Sequence, residues 1–260
     1  MITAVALVAG LSAFAAPHTP PAPQRFKITT TNHQVVDLTA VSQPEQVVHI
    51  VTSAYVTVTS TDSAGGRAVK LALDSMHLDS LVGDAPYTQA IFDSLRGTSA
   101  TGWIGANGVL QASPADTDRS AQASGLLKEL FPKVAARAKV GDKWTDTTES
   151  TGMGSGILAN AAIRRVTNWA VSGEETVSGT KARKIDGAYS QSMSGSMESA
   201  QGSLTVDGTA TGTSNYSITV DGRMLKGTTL LNLQIAVSVP TLPEPIPVTG
   251  SVNSTITALR

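Results

Sequence analysis

The sequence has no cysteine and few aromatic or charged residues, and each of these features argues against a class of structure or partner. No disulfide can form, but a chain of 260 residues buries roughly 70–75% of its unfolded surface and needs neither disulfide nor metal to fold. Aromatic residues make up 4% of the chain, too few for a platform on which sugars or single-stranded bases stack. Charged residues make up 15%, and the net charge of −1 argues against nucleic acid as a partner.

The N-terminus predicts an export signal over residues 1–16. An apolar run ends there in a small-x-small site at Ala13-Phe14-Ala15, and it is shorter than the roughly twenty residues that span a bilayer. A proline-rich stretch follows and predicts a linker over residues 17–25. A buried N-terminal helix is the alternative. Because there is no cysteine for lipid attachment, we expect a periplasmic or extracellular protein with no membrane span in its mature form.

Alternating apolar and polar residues are the strongest structural pattern. Residues 48–58 and 68–74 alternate on either side of Gly65-Gly66 and predict a hairpin. Asp207-Gly208 and Asp221-Gly222 are typical of hairpin turns and predict an antiparallel meander around them. The apolar residues of the following strand share one face, which predicts a sheet buried on one side: Leu231, Leu233, Ile235, Val237 and Val239.

Two amphipathic segments interrupt the strands. The first carries Tyr87, Ile91 and Leu95 one turn apart, with Asp84 as its cap and Gly97 past its end. The second has an apolar stripe that ends before a proline: Ala123, Leu126, Leu127, Leu130 and Phe131. Each apolar stripe needs a sheet to pack against. The expected fold is therefore mainly β with a few helices, a strongly curved antiparallel sheet or half-barrel whose concave face is covered by one or two helices.

Short motifs recur at a nearly constant spacing. Residues 66–71 parallel 179–185, and the matches at 97–102 and 108–110 share the same offset of about 111–114 positions. A duplicated β unit explains this pattern, and the frequent reuse of Gly, Thr and Val is the alternative explanation. After the linker we expect a single antiparallel β domain over residues 26–260, or two tandem halves at about 26–140 and 141–260.

No arrangement of residues specifies a reaction, so we expect no catalytic residues, no metal and no other cofactor. The histidines lack the spacing of metal ligands, although His77 lies between Asp74 and Asp79. Residues 152–156 are rich in glycine but match no phosphate-binding pattern, and they are interpreted as a loop between strands. The acids Asp74, Asp79, Asp84 and Asp93 are spread over a loop and a short helix, where carboxylates usually only keep the loop soluble.

Val140-Gly141-Asp142-Lys143-Trp144 (V-G-D-x-W) is a turn followed by a tryptophan that enters a strand, as a core or edge anchor or as pocket lining. Together with the export signal, the first hairpin, the covering helices and the second meander, this motif resembles uncharacterised exported bacterial proteins of the lipoprotein-carrier type (LolA- and LppX-like half-barrels). The resemblance lies in element order over most of the mature chain and transfers no individual residue. It implies an incomplete, curved antiparallel sheet that wraps helices and encloses an apolar cavity able to take acyl chains.

A wide sheet lined by Val, Leu, Ile and Ala is hard to fill completely, so we expect a cavity between sheet and helix, with an ordinary filled core as the alternative. The predicted lining is Leu126, Leu127, Leu130, Phe131, Leu225, Leu231, Leu233, Ile235 and Val237.

The leading hypothesis for function is an exported non-enzymatic protein that binds a hydrophobic small molecule, a lipid or an envelope lipoprotein in this cavity. One alternative is a structural or protein-interaction component of the cell envelope, suggested by Thr- and Ser-rich strands with exposed edges. Another is a hydrolase whose carboxylates converge from distant loops.

Overall fold

The computed structural model describes residues 22–63, 65–106, 108–115, 117–132, 138–151, 161–199 and 202–259. The predicted signal over residues 1–16 and the glycine-rich loop over residues 152–156 lie outside the described residues. Within the described ranges the chain forms β1 (Gln24–Val36), a 3-10 turn (Thr39–Val41), β2 (Gln46–Ser63), β3 (Gly66–Val82), α1 (Gln89–Asp93), β4 (Ser99–Gly105), β5 (Leu110–Ala112), α2 (Asp118–Leu130), β6 (Lys143–Thr151), β7 (Ala162–Val177), β8 (Thr180–Ser199), β9 (Gly202–Ile218), β10 (Met224–Ser238) and β11 (Ile246–Leu259). Strand β1 thus begins inside the predicted linker.

These strands form one antiparallel sheet in the order β5-β4-β3-β2-β1-β11-β10-β9-β8-β7-β6. Strands that follow one another in the chain are neighbours in the sheet, except that β5 and β6 lie at opposite edges and β11 returns to pair with β1. The chain passes between the two edges through α2, so both halves of the sequence share a single sheet. The prediction of a mainly β, antiparallel fold with few helices is confirmed.

The sheet is strongly curved, because strands that are distant in the sheet meet at one cavity. Strands β4 and β8 are seven positions apart in the strand order. In a flat sheet with about 4.8 Å between neighbours they would lie about 34 Å apart. Ile104 of β4 and Arg183 of β8 nevertheless line the same cavity of about 320 Å³. The face that carries these residues is therefore concave, and we call it the inner face.

The antiparallel register places the apolar residues of each strand on the inner face. Phe26 and Ile28 of β1 lie opposite Val56 of β2 and Ile256 of β11, and all four are at most 2% exposed. The predicted apolar face of β10 also turns inward, where its residues are half-buried, while Asn232 and Gln234 between them are exposed. Burial of one face explains why the alternation is so regular.

One of the two predicted hairpin turns is wrong. Asp221-Gly222 does connect β9 to β10, with Gly222 at a φ of +85°. Asp207-Gly208 lies instead within β9, where Gly208 pairs with Ile235 of β10. A Cβ on Gly208 would lie 2.9 Å from the carbonyl oxygen of Gln234. This glycine therefore permits close approach of the neighbouring strand and makes no turn.

Three glycines of the inner face lie directly opposite an aromatic residue of the preceding strand. A Cβ on any of these glycines would overlap the opposing ring, so each ring occupies the space that a side chain would otherwise take. Rings that fill the space above strand glycines allow a sheet to bend without leaving a gap. The pairs step diagonally across the second half of the sheet: Trp169 with Gly187, Tyr189 with Gly212, and Tyr216 with Gly227.

Helix α2 covers the inner face at the end of the sheet where the hairpin turns lie. Its N-cap is Thr117, whose hydroxyl accepts a hydrogen bond from the Ser120 amide over 3.2 Å, while the Ser120 hydroxyl accepts one from the Thr117 amide over 2.9 Å. The predicted stripe is buried in the core with the inner-face residues. The helix ends at Leu130, before Pro132, as the sequence predicts.

Helix α1 covers the half of β3 that pairs with β2 but extends beyond the end of β4 on its other side. Its N-cap is Thr88, so the predicted cap at Asp84 is wrong. The side-chain oxygen of Gln89 accepts a hydrogen bond from the Leu78 amide over 2.7 Å, and its amide nitrogen donates to the Met76 carbonyl oxygen over 3.0 Å. A side chain thus replaces a neighbouring strand and protects this edge. Within the described residues, neither helix has the length and apolar character needed to cross a bilayer.

The V-G-D-x-W segment brings the chain from α2 into β6. Gly141 has a φ of +94°, and its amide donates a hydrogen bond to the Val171 carbonyl oxygen over 2.9 Å. Trp144 then stacks on Trp169, with 6.3 Å between ring centres, and packs against the core. Of the two roles open to Trp144 from sequence, the structure places it as an anchor, and it lines neither of the cavities described below.

Candidate functional site

A partly enclosed cavity of about 320 Å³ lies where three hairpin turns meet the C-terminal end of α2. The turns β2–β3, β4–β5 and β9–β10 contribute to its wall, and we call it the turn-end cavity. The apolar part of the wall is formed by Ile104, Leu130, Phe131, Pro132, Ile218 and Val220. The remaining wall consists of charged and small residues: Asp62, Arg67, Arg183, Asp221, Gly66, Gly105, Ala106, Gly108 and Gly222.

Arg183 is the buried cation of the turn-end cavity. Its register on β8, opposite Ile218, turns it to the inner face, where it is only 7% exposed. Its Nη1 donates to the Ala138 carbonyl oxygen over 2.6 Å and its Nη2 to that of Thr219 over 3.4 Å. Among the described residues, its Nε–H has no acceptor and no carboxylate forms an ion pair with it. A buried guanidinium without a counter-ion carries an uncompensated desolvation cost.

The other charges at this cavity are already paired. Arg67 Nε lies 2.7 Å from Asp62 Oδ1, and Arg223 Nε lies 2.8 Å from Asp221 Oδ2. Burial raises the pKa of Asp221, but a hydrogen bond from Thr219 and the charge of Arg223 outweigh it and hold that pKa below its usual range. Each of the two carboxylates is therefore already paired with an arginine. The uncompensated charge of the cavity is that of Arg183.

A larger depression, of about 1,210 Å³, lies on the opposite, outer face of the sheet. Each of β7 to β11 contributes three consecutive residues, of which the middle one faces inward and supplies only floor, as Met193 does between Ser192 and Ser194. We call it the outer groove. Its outward residues are mostly exposed, and they include neutral polar, charged and small apolar side chains: Ala162, Arg164, Ser192, Ser194, Asp207, Thr209, Gln234, Ala236, Pro247 and Thr249, with Glu149 at its edge.

The smaller cavity is the better candidate for a functional site, although the outer groove has the larger volume. Small-molecule sites are concave and mostly apolar, with a few convergent polar groups. The turn-end cavity has this character, since apolar walls surround one buried guanidinium. The outer groove is more open to solvent, so a small ligand would leave more of its own surface in water there.

A polar cluster formed by Glu129, Arg165, Tyr189 and Tyr216 also lies under α2. Burial raises the pKa of Glu129 on α2, so its charged form is disfavoured there. Burial raises the pKa of Tyr189 to about 12, and it also raises the pKa of Tyr216. Neither phenol ionises near neutral pH, which excludes both as general bases. The Arg165 guanidinium lies 4.6 Å from the centre of the Tyr189 ring and holds it in place.

The structure separates the residues predicted to line the ligand cavity. Leu130 and Phe131 line the turn-end cavity, and Ile235 forms part of the floor of the outer groove. Leu126 and Leu127 are packed into the core, with 8% and 0% exposure. The remaining predicted residues are half-buried on β10 and line neither cavity: Leu225, Leu231, Leu233 and Val237.

The histidines that the structure describes lie on the sheet. His33 and His49 are direct neighbours on β1 and β2, with 6.0 Å between ring centres, and His77 packs edge-on against Tyr55. Within the described ranges, no three histidine or acidic side chains are grouped so that they could hold a metal ion.

The acids considered for hydrolysis make hydrogen bonds within the first half of the sheet. Asp74 accepts a hydrogen bond from the Thr57 hydroxyl over 2.7 Å, and Asp79 accepts one from Ser53 over 2.5 Å. Asp93 accepts one from Gln89 within α1 over 2.7 Å. None of them lines the turn-end cavity or the outer groove.

Arg183 is the residue that sequence reasoning missed. The signal was present, because Arg183 lies an even number of residues from Ile185 and Tyr189, which face inward on the same strand. A charged residue at an inward-facing position of a half-buried strand is unusual and indicates a buried charge. The partners of that charge come from the segment after α2 and from the end of β9, which periodicity alone does not bring together.

Comparison with known proteins adds little to this site. No protein-family model matches the sequence, and no curated protein matches it. Among solved structures, the chain is similar to DynF from the dynemicin biosynthesis pathway of Micromonospora chersina, with 11% sequence identity over 92% of this chain and 82% of that chain and a TM-score of 0.23. A similarity this low transfers neither fold nor function, so function has to be argued from the site itself.

Proposed function

We propose that this chain is an exported, non-enzymatic protein that binds a lipophilic ligand in the turn-end cavity. The observation that carries the proposal is the cavity itself, about 320 Å³ of largely apolar space between the curved sheet and the end of α2. That volume lies at the lower end of the roughly 300–1,000 Å³ typical of small-molecule sites. A carrier-like half-barrel would hold its ligand in this same place, between sheet and helix.

The charges of the cavity support binding over catalysis. A general acid needs a pKa raised toward the working pH, whereas the pKa of Asp221 is held below its usual range. Asp62 and Asp221 each lie in an ion pair with an arginine, so both carboxylates already have a cationic partner.

A tryptophan at the rim of the turn-end cavity should block ligand entry. Val220 lines the cavity and is 76% exposed, so Val220→Trp adds bulk at the opening without disturbing the core. We expect the folded wild type to bind a neutral hydrophobic dye such as Nile red with enhanced fluorescence. In the variant, dye affinity should fall by about tenfold or more, the equivalent of losing about 1.4 kcal/mol of contact.

Val82→Trp is the matched control, since Val82 is 60% exposed and lines neither cavity. Its dye affinity should equal that of the wild type. Equal affinities for the two tryptophan variants would contradict the proposal. So would a wild type that binds no dye and carries no copurified lipid in native mass spectrometry.

The outer groove favours a second candidate function, an interaction with another envelope protein. Its outward side chains are mostly exposed across five neighbouring strands and include polar, charged and small apolar residues, a mixture that resembles ordinary protein–protein interfaces. Because the groove is open, a small hydrophobic dye should bind weakly there, and dye binding that Val220→Trp leaves unchanged would favour this second candidate.

A further inference from the structure

We infer that the ligand of the turn-end cavity is an amphiphile with a carboxylate head, received by the Arg183 guanidinium. This inference rests on the proposed function and specifies which lipophilic molecules the cavity takes. Arg183 is 7% exposed, it lines the cavity, and its Nε–H is without an acceptor among the described residues. A ligand anion would supply the counter-ion that the described part of the chain does not.

The geometry of the guanidinium favours a carboxylate. Nη1 and Nη2 each donate one hydrogen bond to a backbone carbonyl, of Ala138 and Thr219 respectively. Three of the five N–H donors remain, namely Nε–H and one hydrogen on each terminal nitrogen. Two neighbouring donors on this planar group match the two oxygens of a carboxylate.

The charge of the cavity favours a head group with a single negative charge. Of the charged side chains in the wall, Arg67 is paired with Asp62, and Asp221 is paired with Arg223. One positive charge is left over, at Arg183. A doubly charged phosphate would leave one charge uncompensated next to two carboxylates of the wall, whereas a carboxylate leaves none.

The position of Arg183 also suits an amphiphile. The apolar residues Leu130, Phe131 and Ile218 line the same cavity as the guanidinium. An alkyl chain would lie against these residues while its head group meets the arginine. Binding would remove the alkyl chain and the apolar wall from water, and the carboxylate would neutralise the buried guanidinium.

The test compares three ligands of equal chain length, decanoate, decyl phosphate and decanol, as competitors of bound Nile red at about pH 8, where the carboxylate is ionised. On the wild type, decanoate should displace the dye at a concentration at least about tenfold lower than decanol, although decanol is the more hydrophobic. Decyl phosphate should compete less well than decanoate. In Arg183→Gln the preference of decanoate over decanol should be lost, while decanol competes as it does on the wild type.

Lys184→Gln is the control, because it removes one positive charge from the next position of the same strand, at an exposed residue that lines neither cavity. It should keep the decanoate preference. If Arg183→Gln does not fold, Arg183→Lys keeps the charge but not the planar pair of donors, and it should lower the preference without abolishing dye binding.

The possible results separate the two proposals. Equal competition by decanoate and decanol on the wild type overturns the carboxylate assignment and leaves the lipophilic site standing. Stronger competition by decyl phosphate assigns the head group to a phosphate and overturns it as well. A decanoate preference that survives in Arg183→Gln shows that Arg183 does not hold the head group, and it overturns the assignment. A wild type that binds neither the dye nor any of the three ligands overturns the proposed function itself.

Discussion

Replacing Leu127 by alanine is expected to lower the free energy of unfolding by about 2–5 kcal/mol, the range for truncating a fully buried leucine. Leu127 is 0% exposed and lies in the middle of the α2 stripe that packs into the core. Because α2 covers the concave inner face, loss of this side chain leaves a void that the curved strands cannot readily close. The expected cost lies in the upper part of the range.

Urea denaturation followed by tryptophan fluorescence measures this effect, since Trp169 belongs to the same core. Leu230→Ala is the matched control, because Leu230 is 40% exposed on the outer face of β10. It should cost about 1 kcal/mol or less. Equal losses for the two variants would show that α2 does not close the inner face.

Gly212→Ala is expected to destabilise the protein by about 1–3 kcal/mol, the cost of overpacking a well-packed interior. A Cβ at this position would overlap the backbone carbonyl oxygen of Leu230 on β10 and the ring of Tyr189 on β8. The backbone oxygen cannot rotate away, so the strands themselves must shift. The hydrogen bond from the Tyr189 hydroxyl to that same oxygen, 3.1 Å long, should be lost.

Gly173→Ala supplies the comparison for this second variant. A Cβ on Gly173 of β7 meets nothing within 4 Å, and its φ is not in the left-handed region. The change should be neutral or stabilising by up to about 1 kcal/mol. Thermal unfolding of the two variants side by side checks the prediction, and a Gly212→Ala protein as stable as Gly173→Ala would contradict the role given to the aromatic and glycine pairs.

The alternation of apolar and polar residues was sufficient to predict the sheet. Each strand buries one face against α2 or the core, so every second residue carries the signal. The α2 stripe was equally readable, because Pro132 ends the helix where the apolar positions stop. Asp207-Gly208 was misread because a glycine required by close strand contact looks the same in sequence as a glycine required by a turn.

The candidate site was harder to predict, because sheet curvature creates it. Leu130 and Phe131 were expected to line a cavity and do so, since the helix must end over the sheet. Their partners come from hairpin turns that are far apart in the sequence, and only the bending of the sheet brings them together. The bending in turn depends on the opposed glycines and aromatic residues, whose pairing is visible only when the strand register is known.

The central claim, that a lipophilic ligand occupies the turn-end cavity, is tested most directly by photo-crosslinking with an alkyl probe that carries a diazirine, followed by mass spectrometry of the labelled peptides. Labelling is expected at Phe131, Ile218 and Val220, which line that cavity, and it should be suppressed by excess unlabelled ligand. Labelling confined to residues of the outer groove such as Thr209 and Gln234, or labelling that excess ligand does not reduce, would contradict the claim.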